Sequence, residues 1–223
     1  MSSRAAHLDL GRAPYAGVLD LQRELHARRC RNSIGDLVIT VEHDPVFTVG
    51  RTGSLDHLLV ARETITREGI SLCDVERGGD ITYHGPGQLV VYPIVDLRER
   101  GRDVKRFIRE LEETTIRTLR RWEIAAERRT GYPGVWAGGG KIASIGVYVK
   151  QWVTRHGLAL NVDINREHFA MIRPCGLDVE IRSMVDLSSQ RASLDEARDT
   201  FLAEMTDVFG WTFETTCLSE VAG

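Results

Sequence analysis

The stretch RGGDITYHGPGQLVVYPIV, residues 77–95, decides how the rest of the chain must fold. Its second half, from Gln88 to Val95, is a nearly continuous apolar run entered through glycine and proline. Such a run without polar alternation reads as a central strand covered on both faces. Pro93 has no N–H to give a ladder, so the end of the strand is expected to leave the sheet or lie on an edge. The first half gathers Gly78, Gly79, Gly85 and Gly87 around Thr82 and His84, with Pro86 stiffening the turn. Glycine tolerates positive φ and close contact, so a Gly-rich loop tied to a buried strand can hold a ligand against backbone N–H groups. A tight surface hairpin with a chance histidine has the same composition, and the stretch alone names no chemistry.

Working outward, Pro14–Arg31 carries Val18, Leu21 and Leu25 at helical spacing and predicts an amphipathic helix ending at Cys30. Asp36–Glu42 is a β-branched strand that breaks at His43-Asp44-Pro45, and FTVGR follows to Gly50 and Arg51. A short helix near Arg62–Glu68 leads to a strand at Ile70–Val75, in which Cys73 is expected to be buried and inert. Asp103–Trp122 is the strongest helix, with Val104, Phe107, Ile108, Leu111, Thr115, Leu119 and Trp122 on one face. Its other face holds Arg106, Arg109, Arg117, Arg120 and Arg121, which suits either solvent or an acidic partner. Tyr132–Gly140 reads as a second Gly-rich loop, followed by strands at Lys141–Val149 and Arg155–Val162 joined by a short hairpin. A capping box from Ser193 to Glu196 opens a last helix running to Phe209. Strands mixed with helices, some joined as hairpins, predict an α/β or α+β domain with a mixed β-sheet flanked by helices.

The chain has 223 residues and a net charge of −3, enough for a single domain over residues 1–223 and no argument for nucleic acid. No window approaches the roughly 20 apolar residues of a membrane span, and the start lacks an apolar signal core. The expectation is a cytoplasmic, monomeric protein that binds neither membrane nor nucleic acid. Cys30, Cys73, Cys175 and Cys217 are scattered without a CxxC pair, and no His-x-x-x-His occurs, so no metal site is signalled. Walker and GxGxxG loops are absent, so no nucleotide cofactor is signalled either.

Two residues stand out chemically. Cys175 lies between Pro174 and Gly176, a loop setting that leaves a thiol reachable. Lys141 opens a strand directly after Gly138-Gly139-Gly140, and a partly buried lysine can lower the pKa of a nearby thiol or contact a phosphate. His84 suits either acid–base work or shaping a pocket, and His156 is read the same way.

Taken together the motifs resemble one family. Arg77-Gly78-Gly79, Thr82, His84, Gly87-Gln88 and Tyr92-Pro93 are similar to the signature of the lipoyl(octanoyl) transferases. So are Thr48-Val49-Gly50-Arg51, Gly134-Val135-Trp136, Lys141 to Gly146, His156 to Asn161, and Pro174-Cys175-Gly176. The blocks follow the family's order across about residues 40–180. The resemblance implies the biotin and lipoate protein ligase-like fold, with a small second sheet beside the mixed one. It implies that Cys175 attacks octanoyl-acyl carrier protein and holds the octanoyl group as a thioester. The acceptor would be a lysine on the lipoyl domain of a 2-oxoacid dehydrogenase or on glycine-cleavage H protein. Lys141 would lower the Cys175 pKa and move protons. Arg77, Gly78, Gly79, Asp80, Ile81, Thr82, Tyr83 and His84 would line the acyl pocket with Ser144, Ile145, Gly146, Gly157, Leu158 and Ala159. Neither cofactor nor metal is implied, and the basic helix face with Arg51 becomes a docking surface for the acidic carrier. An ATP-dependent ligase, an octanoyl amidotransferase and a non-catalytic carrier-binding protein are the competing readings; the chain after Asp186 matches nothing in the family pattern.

Overall fold

The computed structural model describes residues 3–173 and 179–221, so Cys175 and its immediate neighbours lie outside the described residues. The chain runs β1 (Ser3–Ala13), α1 (Tyr15–Cys30), β2 (Asp36–His43), β3 (Val46–Val49), α2 (Arg62–Arg67), β4 (Ser71–Asp74), β5 (Ile81–His84) and β6 (Gln88–Ile94). It continues through α3 (Val104–Arg120), β7 (Ala126–Arg129), β8 (Tyr132–Ala137), β9 (Gly140–Lys150), β10 (Val153–Asn161), α4 (Arg166–Phe169), α5 (Met184–Leu187), α6 (Leu194–Phe209), β11 (Trp211–Thr215) and α7 (Leu218–Val221). A mixed sheet has the order β11-β1-β2-β6-β10-β9-β8-β7, and a small second sheet has the order β4-β3-β5. The mixed α/β class with two sheets is as the sequence predicts.

The apolar run of β6 is explained by its place. Every residue of it is buried, and alternate side chains feed two cores. Leu89 and Val91 join Phe107, Leu111 and Leu119 of α3 and Phe201 and Met205 of α6. Val90, Tyr92 and Ile94 join Tyr15, Val18, Leu19 and Leu25 of α1 on the opposite face. A period of two in a strand sandwiched between helices yields apolar residues at every position. The third core, around Phe47, Ile81 and Tyr83, belongs to the small sheet.

Pro93 does not leave the sheet as expected. It stays paired with Val38 of β2, between two neighbouring strands. The missing N–H is accommodated on the β10 side alone, where the ladder stops at Val91 and Leu158. There His156 takes φ +55°, and Thr154 bridges the gap, its hydroxyl donating to the Pro93 carbonyl at 2.7 Å and accepting the Val95 N–H at 3.0 Å. Gly157 makes the approach possible: a β-carbon there would overlap the Val91 carbonyl and come 2.7 Å from Pro93 Cδ.

Other differences have local causes. Tyr132–Ala137 is strand β8 rather than loop, because Val135, Trp136 and Ala137 are buried and only Gly138 and Gly139, at φ +55° and +83°, make the turn into β9. Strands β1, β7 and β11 were not legible: β7 is almost wholly charged, and β11 follows α6 with only Gly210 between. β1 is held by parallel pairing on both sides, to β11 and to β2. Cys73 is only half-buried. The capping box forms as predicted: the Ser193 hydroxyl accepts the Glu196 N–H, and the Glu196 carboxylate accepts the Ser193 N–H at 2.9 Å.

Gly157→Ala is therefore expected to lower unfolding stability by about 1–3 kcal/mol through overpacking. Gly35→Ala, where a β-carbon meets nothing within 4 Å, should stay within about 0.5 kcal/mol. Urea denaturation followed by circular dichroism checks both.

Candidate active site

A cleft opens where the small sheet meets β9 and β10. Its frame is the Gly-rich stretch. Arg77 is buried, with Nη2 donating to the Thr48 carbonyl at 2.6 Å and to the Thr48 hydroxyl at 2.8 Å, while Nη1 donates to the Gly78 carbonyl at 3.1 Å. These charge-assisted bonds fasten the loop to β3. Gly78 N–H donates to the Val147 carbonyl of β9 at 3.0 Å, which fastens the same loop to the large sheet. Gly146 permits that contact, since a β-carbon would lie 2.9 Å from the Gly78 carbonyl oxygen. Gly78 is consequently not a spare donor for an oxyanion.

The floor is polar but uncharged. His84 Nδ1 donates to Gln88 Oε1 at 3.0 Å; Gln88 Nε2 donates to Asn161 Oδ1 at 2.9 Å; Asn161 Nδ2 donates to the Arg182 carbonyl at 2.9 Å. This relay leaves His84 Nε2 as the acceptor. Burial, then His43 and Arg77, pushes the His84 pKa down to about 3. Burial, then Arg155 and Arg77, pushes His156 down to about 3 as well. His43 falls to about 4 through burial, and its Nε2 accepts the Tyr92 hydroxyl at 2.8 Å. Tyr15 stacks on His84 with ring centroids 5.9 Å apart. At neutral pH the three histidines carry no charge, so His84 shapes the pocket and offers an acceptor rather than a proton.

Lys141 stands on the opposite wall. Gly134, at φ +129°, makes space for it: a β-carbon would come within 2.6 Å of Lys141 Cε. Its ammonium lies 5.6 Å from the centre of the Trp136 ring. The Lys141 backbone is paired as well, its N–H donating to the Glu180 carbonyl at 2.7 Å and its carbonyl accepting the Arg182 N–H at 2.9 Å. On the other side of residues 174–178, Arg173 N–H donates to the His57 carbonyl at 2.8 Å, and Leu58 bridges Ile172. Both chain ends flanking Cys175 are thus anchored.

The cleft gathers Lys141, Arg77, Gly78, Gly79, Asp80, Ile81, Thr82, His84, Ser144, Ile145, Gly146, Gly157, Leu158 and Ala159. Tyr83 faces the other way, as the alternation of β5 requires; it packs on Phe47 and Phe169, with its hydroxyl 2.8 Å from His168 Nδ1. His156, Tyr15 and Tyr92 also line the cleft. Tyr15, at the first turn of α1, and His43 were not singled out from sequence. A histidine ending a β-branched strand was the available signal for His43. The basic face of α3 is largely neutralised: Arg106 pairs with Glu110, Arg117 with Glu113, and Arg121 with Glu204. That pairing weakens the expected docking role of the whole face.

A second, larger groove adjoins the cleft, sharing Gly78, Gly79, Lys141, Ile145 and Gly146. Among the described residues, no cluster of His, Cys, Asp and Glu is arranged to hold a metal, and no helix is long and apolar enough to cross a membrane.

Residues 14–206 match the lipoyl protein ligase A/B catalytic domain. An octanoyltransferase of Solibacter usitatus is 46% identical over 200 residues, covering 90% of each chain. One of Caldicellulosiruptor saccharolyticus is 43% identical over 89% of this chain and 86% of its own. A solved structure of a bi-partite lipoate protein ligase from Thermoplasma acidophilum superposes with a TM-score of 0.75 at 16% identity, covering 98% of this chain and 89% of that one. The chain belongs to the lipoyl protein ligase A/B catalytic domain family and is an acyltransferase of protein lipoylation.

The buried neutral histidines set a pH dependence. Their folded pKa values lie below the unfolded value near 6.5, so the unfolded chain binds more protons between pH 6.5 and about 3. Stability is therefore fully present above pH 6.5 and is lost as pH falls, by about 1–2 kcal/mol per histidine at pH 5. Urea midpoints at pH 7, 6 and 5 should decline, and His84→Gln should flatten the slope; an unchanged slope would place His84 in a charged state or in solvent.

Proposed function

We propose that the protein takes an octanoyl group from octanoyl-acyl carrier protein, holds it on Cys175, and delivers it to a lipoyl-domain lysine. The acceptors are lipoyl domains of 2-oxoacid dehydrogenases and glycine-cleavage H protein. The observation that carries this reading is the gathering of Lys141 with Arg77, His84, Gly146 and Gly157 around one cleft. The octanoyltransferase relatives, and the archaeal lipoylation system of a bi-partite lipoate protein ligase and its E2 lipoyl domain, support the acyl group and the class of acceptor.

The chemistry runs in two displacements. In the first, the Cys175 thiol gives its proton to the Lys141 amine, and its sulfur attacks the thioester carbonyl. The oxyanion collapses, the bond to the carrier sulfur breaks, and that sulfur leaves with the proton from Lys141. In the second, the acceptor lysine amine attacks the acyl-enzyme carbonyl and loses its proton to Lys141. Cys175 sulfur leaves and recovers a proton, and an amide remains. A thioester is already activated, so neither displacement needs a nucleotide. The cleft supports the acyl chain, with burial stabilising it by about 0.8 kcal/mol per CH₂. The Nδ1–H of His84, bonded to Gln88, and the buried Arg77 fix the loop against which the chain would lie.

Intact-mass measurement after mixing the protein with octanoyl-acyl carrier protein, without ATP, tests the reading. One octanoyl adduct is expected, passed on when a lipoyl domain is added and absent in Cys175→Ser. Strict dependence on ATP, or an adduct retained in Cys175→Ala, would contradict it.

A further inference from the structure

The groove beyond Lys141 is not needed to hold an acyl chain that lies in the cleft. It is lined by Ile108 of α3, Tyr132, Pro133 and Trp136 of β8, and Val147 of β9. Tyr132 and Pro133 are exposed, so among the described residues the groove has a solvent-facing side there. The two spaces meet at Lys141. A thioester carries two arms on one carbonyl, and they diverge from the reacting carbon. A cleft and a groove that meet at the proton-transferring residue provide a place for each arm.

Charge separates the arms. On α3, Lys105 stands one turn before Ile108 and Arg109 directly after it. Both are exposed, and among the described residues neither forms an ion pair, whereas Arg106 and Arg117 on the same helix are neutralised by Glu110 and Glu113. Exposed cations flanking Ile108 on α3, without an ion-pair partner among the described residues, match an amide-containing arm that ends in a phosphate. A hydrocarbon chain would gain nothing from them.

We propose that this groove binds the leaving arm of the donor, a thiol-terminated, amide-rich chain ending in a phosphate, with the phosphate toward Lys105 and Arg109. The inference rests on the acyl-transfer reading above. The open side then has a purpose, since the arm must leave after the first displacement before the acceptor lysine enters.

The test uses three octanoyl thioesters with the same acyl group: phosphopantetheine, pantetheine and N-acetylcysteamine, the last too short to fill the groove. Rates of Cys175 acylation are read by intact mass, and kcat/KM ratios are compared. The wild-type protein should prefer the pantetheine arm to N-acetylcysteamine by about tenfold or more, and phosphorylation should add to that preference. Ile108→Asp, and separately the exposed Tyr132→Ala, should reduce the pantetheine preference about tenfold, whereas Lys105→Glu with Arg109→Glu should abolish only the advantage of the phosphate. Ratios unchanged in all variants would overturn the inference. So would a change confined to acyl-length preference or to KM for the lipoyl domain, which would give the groove to the acyl chain or to the acceptor. If none of the thioesters acylates the wild-type protein, the acyl-transfer reading falls, and this inference with it.

Discussion

The buried guanidinium of Arg77, bonded to both oxygens of Thr48, ties the Gly-rich loop to the small sheet at the point where the cleft opens. An arginine removed from water needs its donors satisfied, so the loop that carries it cannot drift without a large desolvation penalty. The next residue, Gly78, bonds to the Val147 carbonyl and draws β9 against the same loop. With those two residues fixed, Asp80 to His84 must form the third strand of the small sheet, and Lys141 to Gly146 must form the facing wall. The glycines at 50 and 146 belong to this constraint, because backbone meets backbone where side chains would otherwise stand, and Gly79 supplies the turn at φ +88°.

The cleft assembled in this way has an uncharged floor and a cationic wall. His43, His84 and His156 are all held neutral by burial, although each is polar and two line the cleft. In the proposed reaction the labour is divided: the Gly-rich loop and its histidine shape and orient, and Lys141 and Cys175 make and break bonds.

The fold was legible where apolar pattern and burial coincide. The run through β6, the face of α3 and the capping box of α6 were each readable, because one local signal determined one structure. β1 was not, because its stability comes from pairing with β2 and β11, contacts that no window of the sequence contains. β8 was hidden by glycines that serve different ends: Gly134 makes room for Lys141, whereas Gly138 and Gly139 turn the chain. Most of the cleft residues were readable as motif blocks. Tyr83 was misplaced because a block does not report the alternation of a strand, and Tyr15 was missed because its contribution depends on a helix docking on a distant sheet face.

The account's central claim is that Lys141 and Cys175 act on one another. The measurement that addresses it most directly is the rate of alkylation of Cys175 by iodoacetamide as a function of pH, in the wild-type protein and in Lys141→Ala. The account predicts a wild-type inflection below the ordinary thiol value of about 8.5, and an inflection displaced upward by about one unit or more in Lys141→Ala. Coincident profiles in the two proteins would contradict it.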